Sequence, residues 1–365
     1  MALRIVNVVG ARPNLMKIAP IMEAYRLFPE IEPVLIHTGQ HYDPNMNQLF
    51  FEQLGISRPE VNLGVGSGKH GAQTAAIMQA FEPVLEAHGA DAVVVVGDVN
   101  GTMACGLVAA KMGIPLVHVE AGLRSFDRTM PEEVNRIVTD SISDFLLCSE
   151  ESGVVNLQNE GVDSDRIHFV GNVMIDALLH HREHADRSTI LSQTGVEKEA
   201  FALVTLHRPS NVDDREILDG LIGVLEYVGR QLPVVFPLHP RTKNSLDRFD
   251  LMDKLASANI KLLPPLGYLD FLKLTSDARI VLTDSGGIQE ETTVLGVPCL
   301  TLRHNTERPV TVELGTNRVV GNDPDTVMEA FDKTMAVKKT KPAPPPLWDG
   351  KAASRIVEIL ARELK

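Results

Sequence analysis

Short apolar runs rich in β-branched residues recur at 5–9, 33–38, 92–96, 116–119, 145–148 and 167–170. The segments between them, at 16–28, 70–88, 102–112 and 149–160, repeat apolar residues at three- and four-residue spacing, the mark of a helix with one buried face. That alternation predicts strands buried on both faces of a parallel sheet. The first half is therefore expected to be a doubly wound α/β domain made of repeated β-α units. From 172 to 195 the pattern turns polar and helical, and β-α alternation restarts at 201–206. Further strands are expected at 234–236, 260–263, 280–283 and 299–302, with helices at 217–230, 269–275 and 287–295. The pattern thus divides the chain at 172 into two Rossmann-like domains, 1–172 and 173–345. The Lys- and Pro-rich stretch 340–346 reads as a stiff linker, and 351–364 after it as an amphipathic helix.

A length of 365 residues gives each domain room for its own core. Lys plus Arg is 35 against 48 Asp plus Glu, a formal charge of −13, and 44% hydrophobic residues exclude a disordered chain. This acidic balance offers no field for nucleic acid or an anionic membrane. Any phosphorylated ligand must then be held by a few locally placed cations. Cys105, Cys148 and Cys299 are too far apart for a zinc spacing and sit in apolar segments, as reduced, buried thiols do. The first ten residues lack the features of a signal peptide, and no run approaches the ~20 apolar residues of a membrane span. The expected address is cytoplasmic.

In an open α/β sheet the ligand lies beyond the carboxyl ends of the strands, so the residues that follow each strand carry the candidate chemistry. After the first strand, Gly10-Ala11-Arg12-Pro13-Asn14 opens a helix with Arg12 and Lys17 near its start, a plausible phosphate grip. Thr38-Gly39-Gln40-His41 follows the second strand, Gly97-Asp98 the strand at 92–96, and Glu120-Ala121-Gly122 the strand at 116–119. Several ionisable side chains converging on one sheet edge exceed what helix caps and surface charges require. Pro131-Glu132-Glu133 begins a helix whose two glutamates also suit the positive end of a helix dipole, so either one alone is evenly balanced between structure and chemistry. The second half supplies His207-Arg208, then Pro237-Leu238-His239-Pro240-Arg241, and then Thr283-Asp284-Ser285-Gly286-Gly287, a strand, glycine turn and helix start that can cradle phosphate with backbone amides. Glu290 and Glu291, one turn into that helix, would repel phosphate but accept ribose hydroxyls, which points to a nucleotide-linked ligand. Glu307-Arg308-Pro309 adds a further cation. His180 and His184 have metal-binding spacing, yet they lie in the polar stretch away from any strand end and read as a solvated helix face.

These motifs, taken in order, resemble the non-hydrolysing UDP-N-acetylglucosamine 2-epimerases almost end to end. The resemblance rests on Gly-Ala-Arg-Pro with Lys17, Thr-Gly-Gln-His at 38–41, Gly97-Asp98, His-Val-Glu-Ala-Gly-Leu-Arg at 118–124, Pro-Glu-Glu-x-Asn-Arg at 131–136, Leu-His-Arg at 206–208, Thr-Asp-Ser-Gly-Gly-Ile-Gln-Glu-Glu at 283–291 and Thr-Glu-Arg-Pro at 306–309. It implies two Rossmann-like domains facing a cleft, the glycosyltransferase B type of architecture, with a last helix (346–365) packing back on the first domain. It implies that Asp98, Glu120, Glu132 and His207 are the essential ionisable residues, with Arg136 a further active-site cation. Arg12, Lys17, Ser285, Gly286, Gly287, Glu291 and Arg308 would bind UDP, and Gln40, His41 and Arg208 would join the substrate site. A homodimer is the family expectation. Two departures stand out: Asn14 occupies a position where many members have Glu, and 40–46 reads Gln-His-Tyr-Asp-Pro-Asn-Met where many bacterial members carry a segment that helps bind a second, activating substrate molecule.

The C2 hydrogen of a pyranose is not next to a carbonyl, so a carboxylate cannot remove it directly at a useful rate. Departure of UDP from C1 makes that proton labile. Elimination to 2-acetamidoglucal and re-addition of UDP with the proton on the opposite face is the expected route, and inversion calls for proton transfer on both faces. No cofactor and no metal are expected. The implied product would feed N-acetylmannosamine units into cell-envelope polysaccharide. Rivals are epimerases of UDP-2,3-diacetamido-glucuronic acid, the hydrolysing branch, and a glycosyltransferase of the same fold.

Overall fold

The computed structural model describes residues 2–39, 55–256 and 259–364. Its contacts group into two compact units, Met1–Leu179 with Pro346–Lys365, and His180–Pro345. The division falls inside the helix Val173–Ala185, about two turns past the boundary drawn from the pattern. The reason lies in the helix itself: Val173, Met174, Ile175, Ala177 and Leu178 are buried, so its first half belongs to a core although the stretch as a whole reads as polar.

The first unit holds one sheet in the order β3-β2-β1-β4-β5-β6-β7, every pair parallel. The strands are β1 (Leu3–Val9), β2 (Ile31–His37), β3 (Val61–Asn62), β4 (Ala92–Val96), β5 (Leu116–Val119), β6 (Phe145–Cys148) and β7 (Ile167–Phe169). All five residues of β4 are buried, as expected of a central strand covered on both faces. On one face Val6, Val8, Val93 and Val95 pack with Ile77, Phe81 and Leu85 of the helix His70–His88 and with Ala104, Cys105 and Val108 of the helix Asn100–Lys111. The last segment joins this unit. Trp348 is buried and donates from Nε1 to the Ser149 carbonyl at 2.9 Å. Asp176 accepts the amides of Ala352 and Ala353, capping the helix Ala352–Glu363, which packs on the helix Arg12–Ala24.

The second unit repeats the plan with the order β10-β9-β8-β11-β12-β13, again all parallel. Here β8 is Ala202–Thr205, β9 Val234–Pro237, β10 Ile260–Leu263, β11 Ile280–Thr283, β12 Cys299–Thr301 and β13 Asn317–Val319. Its core joins Val204, Phe236, Leu282 and Leu300 of the sheet to Leu221, Leu225 and Val228 of the helix Arg215–Gly229, and to Val327 and Phe331 of the helix Pro324–Ala336. Each unit therefore has one switch point where the strand order reverses, β1/β4 in the first and β8/β11 in the second. Residues after those strands are brought side by side. Among the described residues no helix is long and apolar enough to cross a membrane. The three cysteines are buried, and none forms a disulfide.

Candidate active site

At the first switch point the turn after β1 is tied to the end of β4 by Asn14. Its Oδ1 accepts the amides of Gly10 and Ala11 at 3.2 and 3.0 Å while its Nδ2 donates to the Val96 carbonyl at 2.9 Å. An amide can accept and donate at once, and a carboxylate cannot, so the departure at this position has a structural function. One turn further, the buried Lys17 ammonium forms an ion pair with the carboxylate of Glu120, which follows β5. Gly97 lies between them at a left-handed φ of 68°. A Cβ there would stand 2.9 Å from Lys17 Nζ and 3.1 Å from Glu120 Oε2, so only glycine admits the pair. Glu120 itself has φ 74°, a strained conformation for a non-glycine residue of a kind that concentrates at functional sites.

The neighbouring Asp98 accepts from Arg136 Nη1 at 2.5 Å, and its side chain keeps 27% exposure, whereas that of Glu120 is 2% exposed. Arg136 is buried and is also held by Glu133, through Nε at 3.0 Å and Nη2 at 2.7 Å. Glu133 further accepts the amides of Ser125 and Phe126. Burial pushes its carboxyl up, but those amides and the Arg136 guanidinium outweigh it and hold Glu133 below the usual glutamate range. This separates the two glutamates that the sequence leaves evenly balanced. Glu133 is a buried clamp on the loop and on Arg136. Glu132, half-buried on the same helix Pro131–Ile142, stands one turn before Arg136. Beneath them His118 faces Gly97 O through Nε2 at 2.8 Å and Asp140 through Nδ1 at 2.6 Å. Asp140 also takes Arg124 Nη1 at 2.6 Å and the Gly122 amide at 3.1 Å. Burial opposes ionisation of Asp140, but His118 and Arg124 hold its carboxyl below the usual range.

The second switch point gathers His207 after β8 and the Asp284–Gly287 turn after β11. Asp284 is fully buried and its carboxylate lies 2.8 Å from His207 Nδ1. A Cβ on Gly286 would stand 2.7 Å from Glu307 Oε1 and 3.3 Å from Arg308 Nη1, so glycine is what lets the loop approach that pair. Ser285 stands at the N-cap position of the helix Gly286–Leu295 with no side-chain capping hydrogen bond, and the first amides of that helix have no partner within it. Arg308 is buried between Glu290 at 2.5 Å and Glu307 at 3.0 Å, and Arg303 holds the other oxygen of Glu307 at 2.8 Å. Glu291 is buried too. Desolvation and the neighbouring charge of Glu290 push its carboxyl up to about 8.

The structure thus brings Lys17, Asp98, Glu120, Glu132 and Arg136 to one sheet edge of the first unit, and His207, Arg208, Ser285, Gly286, Gly287, Glu291 and Arg308 to one edge of the second. The Arg12 side chain, Gln40 and His41 lie outside the described residues. The sequence assigns no role to Asn14, Asp140 and Asp284 and leaves that of Glu133 open. The signal for Asn14 and Asp284 is topological, since each borders a switch point. No group of three or more metal-ligating side chains occurs among the described residues. His180 and His184 are exposed as expected, but His181 between them is buried against the Tyr268 ring at 5.8 Å, and desolvation, then the charges of His180 and His184, lowers its pKa to about 4.

Paired Rossmann-like sheets with acids, cations and glycine turns at their carboxyl ends define an enzyme of the glycosyltransferase B architecture. A family profile described as UDP-N-acetylglucosamine 2-epimerase matches residues 23–361. The chain is 43% identical over 362 residues to the UDP-N-acetylglucosamine 2-epimerase of Methanocaldococcus jannaschii, covering 97% of each chain. A crystal structure of M. jannaschii UDP-GlcNAc 2-epimerase, in complex with UDP-GlcNAc and UDP, superposes with a TM-score of 0.91 over 98% of this chain and 99% of that one, at 42% identity. The UDP-2,3-diacetamido-2,3-dideoxy-D-glucuronate 2-epimerase of Pseudomonas aeruginosa is 38% identical over 363 residues, covering 99% of this chain and all of that one. The chain belongs to the UDP-N-acetylglucosamine 2-epimerase family, a family of isomerases.

Proposed function

We propose that this chain interconverts UDP-N-acetylglucosamine and UDP-N-acetylmannosamine, the first unit supplying the proton-transferring carboxylates and the second binding UDP. The observation that carries the reading is two acid–cation pairs at one sheet edge, Glu120 with Lys17 against Gly97, and Asp98, next in the chain, with Arg136. In the first step the C1–O bond breaks with its electron pair going to the β-phosphate oxygen of UDP, and the C2 proton passes to one carboxylate. In the second, that oxygen attacks C1 of the 2-acetamidoglucal and a carboxylate returns a proton to C2 on the opposite face. Asp98, Glu120 and Glu132 supply these groups. The amides of Gly286 and Gly287, with Arg308, Lys17 and Arg12, stabilise the departing diphosphate. Glu291 takes the ribose, and His207 assists the leaving oxygen.

The route moves no hydride, so no redox cofactor is called for. The enzyme works in the cytoplasm as a homodimer. Proton NMR with UDP-N-acetylglucosamine in deuterated water tests the reading. UDP-N-acetylmannosamine deuterated at C2 is the expected product. Free N-acetylmannosamine plus UDP would move the chain to the hydrolysing branch, and an unchanged spectrum would redirect it to the diacetamido-uronic acid nucleotides.

A further inference from the structure

The Asp284 carboxylate accepts from several groups at once. Oδ2 receives the amides of His207 and Arg208, both at 2.9 Å, and Asn211 Nδ2 at 3.2 Å, while Oδ1 lies 3.2 Å from the His207 amide and 2.8 Å from ring Nδ1. The orientation of Asn211 is itself fixed, because its Nδ2 also donates to the Leu302 carbonyl at 2.8 Å and its Oδ1 accepts from Asn322 at 3.1 Å. Three fixed N–H groups therefore already point at Asp284, and the residue acts purely as an acceptor. Its carboxyl is held below the usual aspartate range, since the opposing effect of burial is outweighed by His207 and by the two amides. The ring nitrogen facing this carboxylate has one role left to it, that of donor.

We propose that Asp284 is a positioning residue for the reaction: it holds a hydrogen on Nδ1 of His207 and so presents Nε2 to the oxygen of the departing diphosphate. The assignment rests on the epimerase reading and extends it to a residue outside the set expected to touch substrate. As the C1–O bond breaks, the Nε2 hydrogen moves toward the β-phosphate oxygen that receives the electron pair, and it returns to Nε2 when that oxygen attacks C1 again. A carboxylate behind the ring fixes Nδ1 as a donor and prevents the ring from turning over, so that Nε2 is the nitrogen left to face the substrate. The topology makes the pair possible, because β8 and β11 are parallel neighbours at the switch point and Thr205 and Thr283, one layer below, are joined through their hydroxyls at 2.6 Å. The other titratable groups at the ring are His239, with ring centroids 5.4 Å apart, and Arg208, next in the chain. His239 Nδ1 is occupied in accepting the Arg241 amide at 3.2 Å.

Asp284→Asn, His207→Ala and the double variant test the assignment. Asp284→Asn is expected to lower kcat roughly 10- to 100-fold with KM little changed. In the His207→Ala background the same change is expected to cost nothing further in kcat. Wild-type turnover by Asp284→Asn, or a second loss of the same size in the double variant, overturns the proposal, the latter marking Asp284 as a strut only. Should Asp284→Asn fail to fold, ring nitrogen NMR of the unaltered enzyme decides: a neutral His207 ring with its hydrogen on Nε2 overturns it. That spectrum is readable even if the chain does not epimerise UDP-N-acetylglucosamine, so the two failures are distinguishable.

Discussion

The two switch points of this molecule handle acidic side chains in opposite ways. In the first unit Glu120 is matched with Lys17, and Glu133 and Asp98 share Arg136, each acid ending on a buried cation. In the second, Glu290 and Glu307 are held by Arg308 and Arg303, while Glu291, beside the charge of Glu290, keeps its proton up to about pH 8. A paired carboxylate next to the sheet edge suits proton transfer. A surplus acid that stays neutral suits hydrogen bonding to an uncharged hydroxyl next to an anionic ligand. The six strands of the second sheet repeat the order of the first six in the first, which adds one edge strand, so the difference comes from side chains placed on equivalent loops.

The largest expected effect breaks the first half of the comparison. Glu120→Gln keeps the shape of the side chain but removes its ability to take a proton, and should lower kcat by about 10²–10⁴-fold, measured by the same deuterium-incorporation assay. A variant with native kcat would reduce the Lys17 ion pair to a structural contact.

Next in size, Arg308→Met withdraws the cation from the buried Glu290 and is expected to destabilise the chain by roughly 3–5 kcal/mol in denaturant unfolding. Little change in the unfolding midpoint would show that the second unit tolerates its acid surplus without that arginine.

The smallest effect sharpens the contrast through pH. The folded chain keeps the Glu291 proton up to about pH 8, while the unfolded chain releases it in the ordinary glutamate range, so between those limits the folded state binds more protons and stability falls as pH rises. Glu291→Gln should remove this contribution. Unfolding curves for the two proteins at about pH 5 and about pH 8 would converge in slope only if Glu291 ionises normally in the folded state.

The central strands are legible in the sequence because burial on both faces leaves a largely apolar run: β4, β5, β6 and β11 occupy the residues expected of them, and so does β10 at an edge of the second sheet. The edge strands β3 and β13 are not legible, being two and three residues long and partly exposed, with no run to betray them. The first helix begins at Arg12 and not at 16, because Pro13 sits in the first turn, where a missing amide hydrogen does no harm. Strand ends likewise disclose where the chemistry gathers, but not which charges meet. Lys17 and Glu120 are 103 residues apart, and no local pattern joins them. Nor does any pattern separate Glu132 from Glu133, since adjacent residues on a helix differ only in what the fold sets against them.

The return of residues 346–365 to the first unit bears on how the protein is made. As the chain leaves the ribosome, the second unit has all its residues before the first does. The first is still missing Trp348 on Ser149 and the helix capped by Asp176. The half synthesised first is therefore the half completed last. Until residues 346–365 have emerged, the ground that Trp348 and the Ala352–Glu363 helix will cover on that half stays exposed to water and to chaperones.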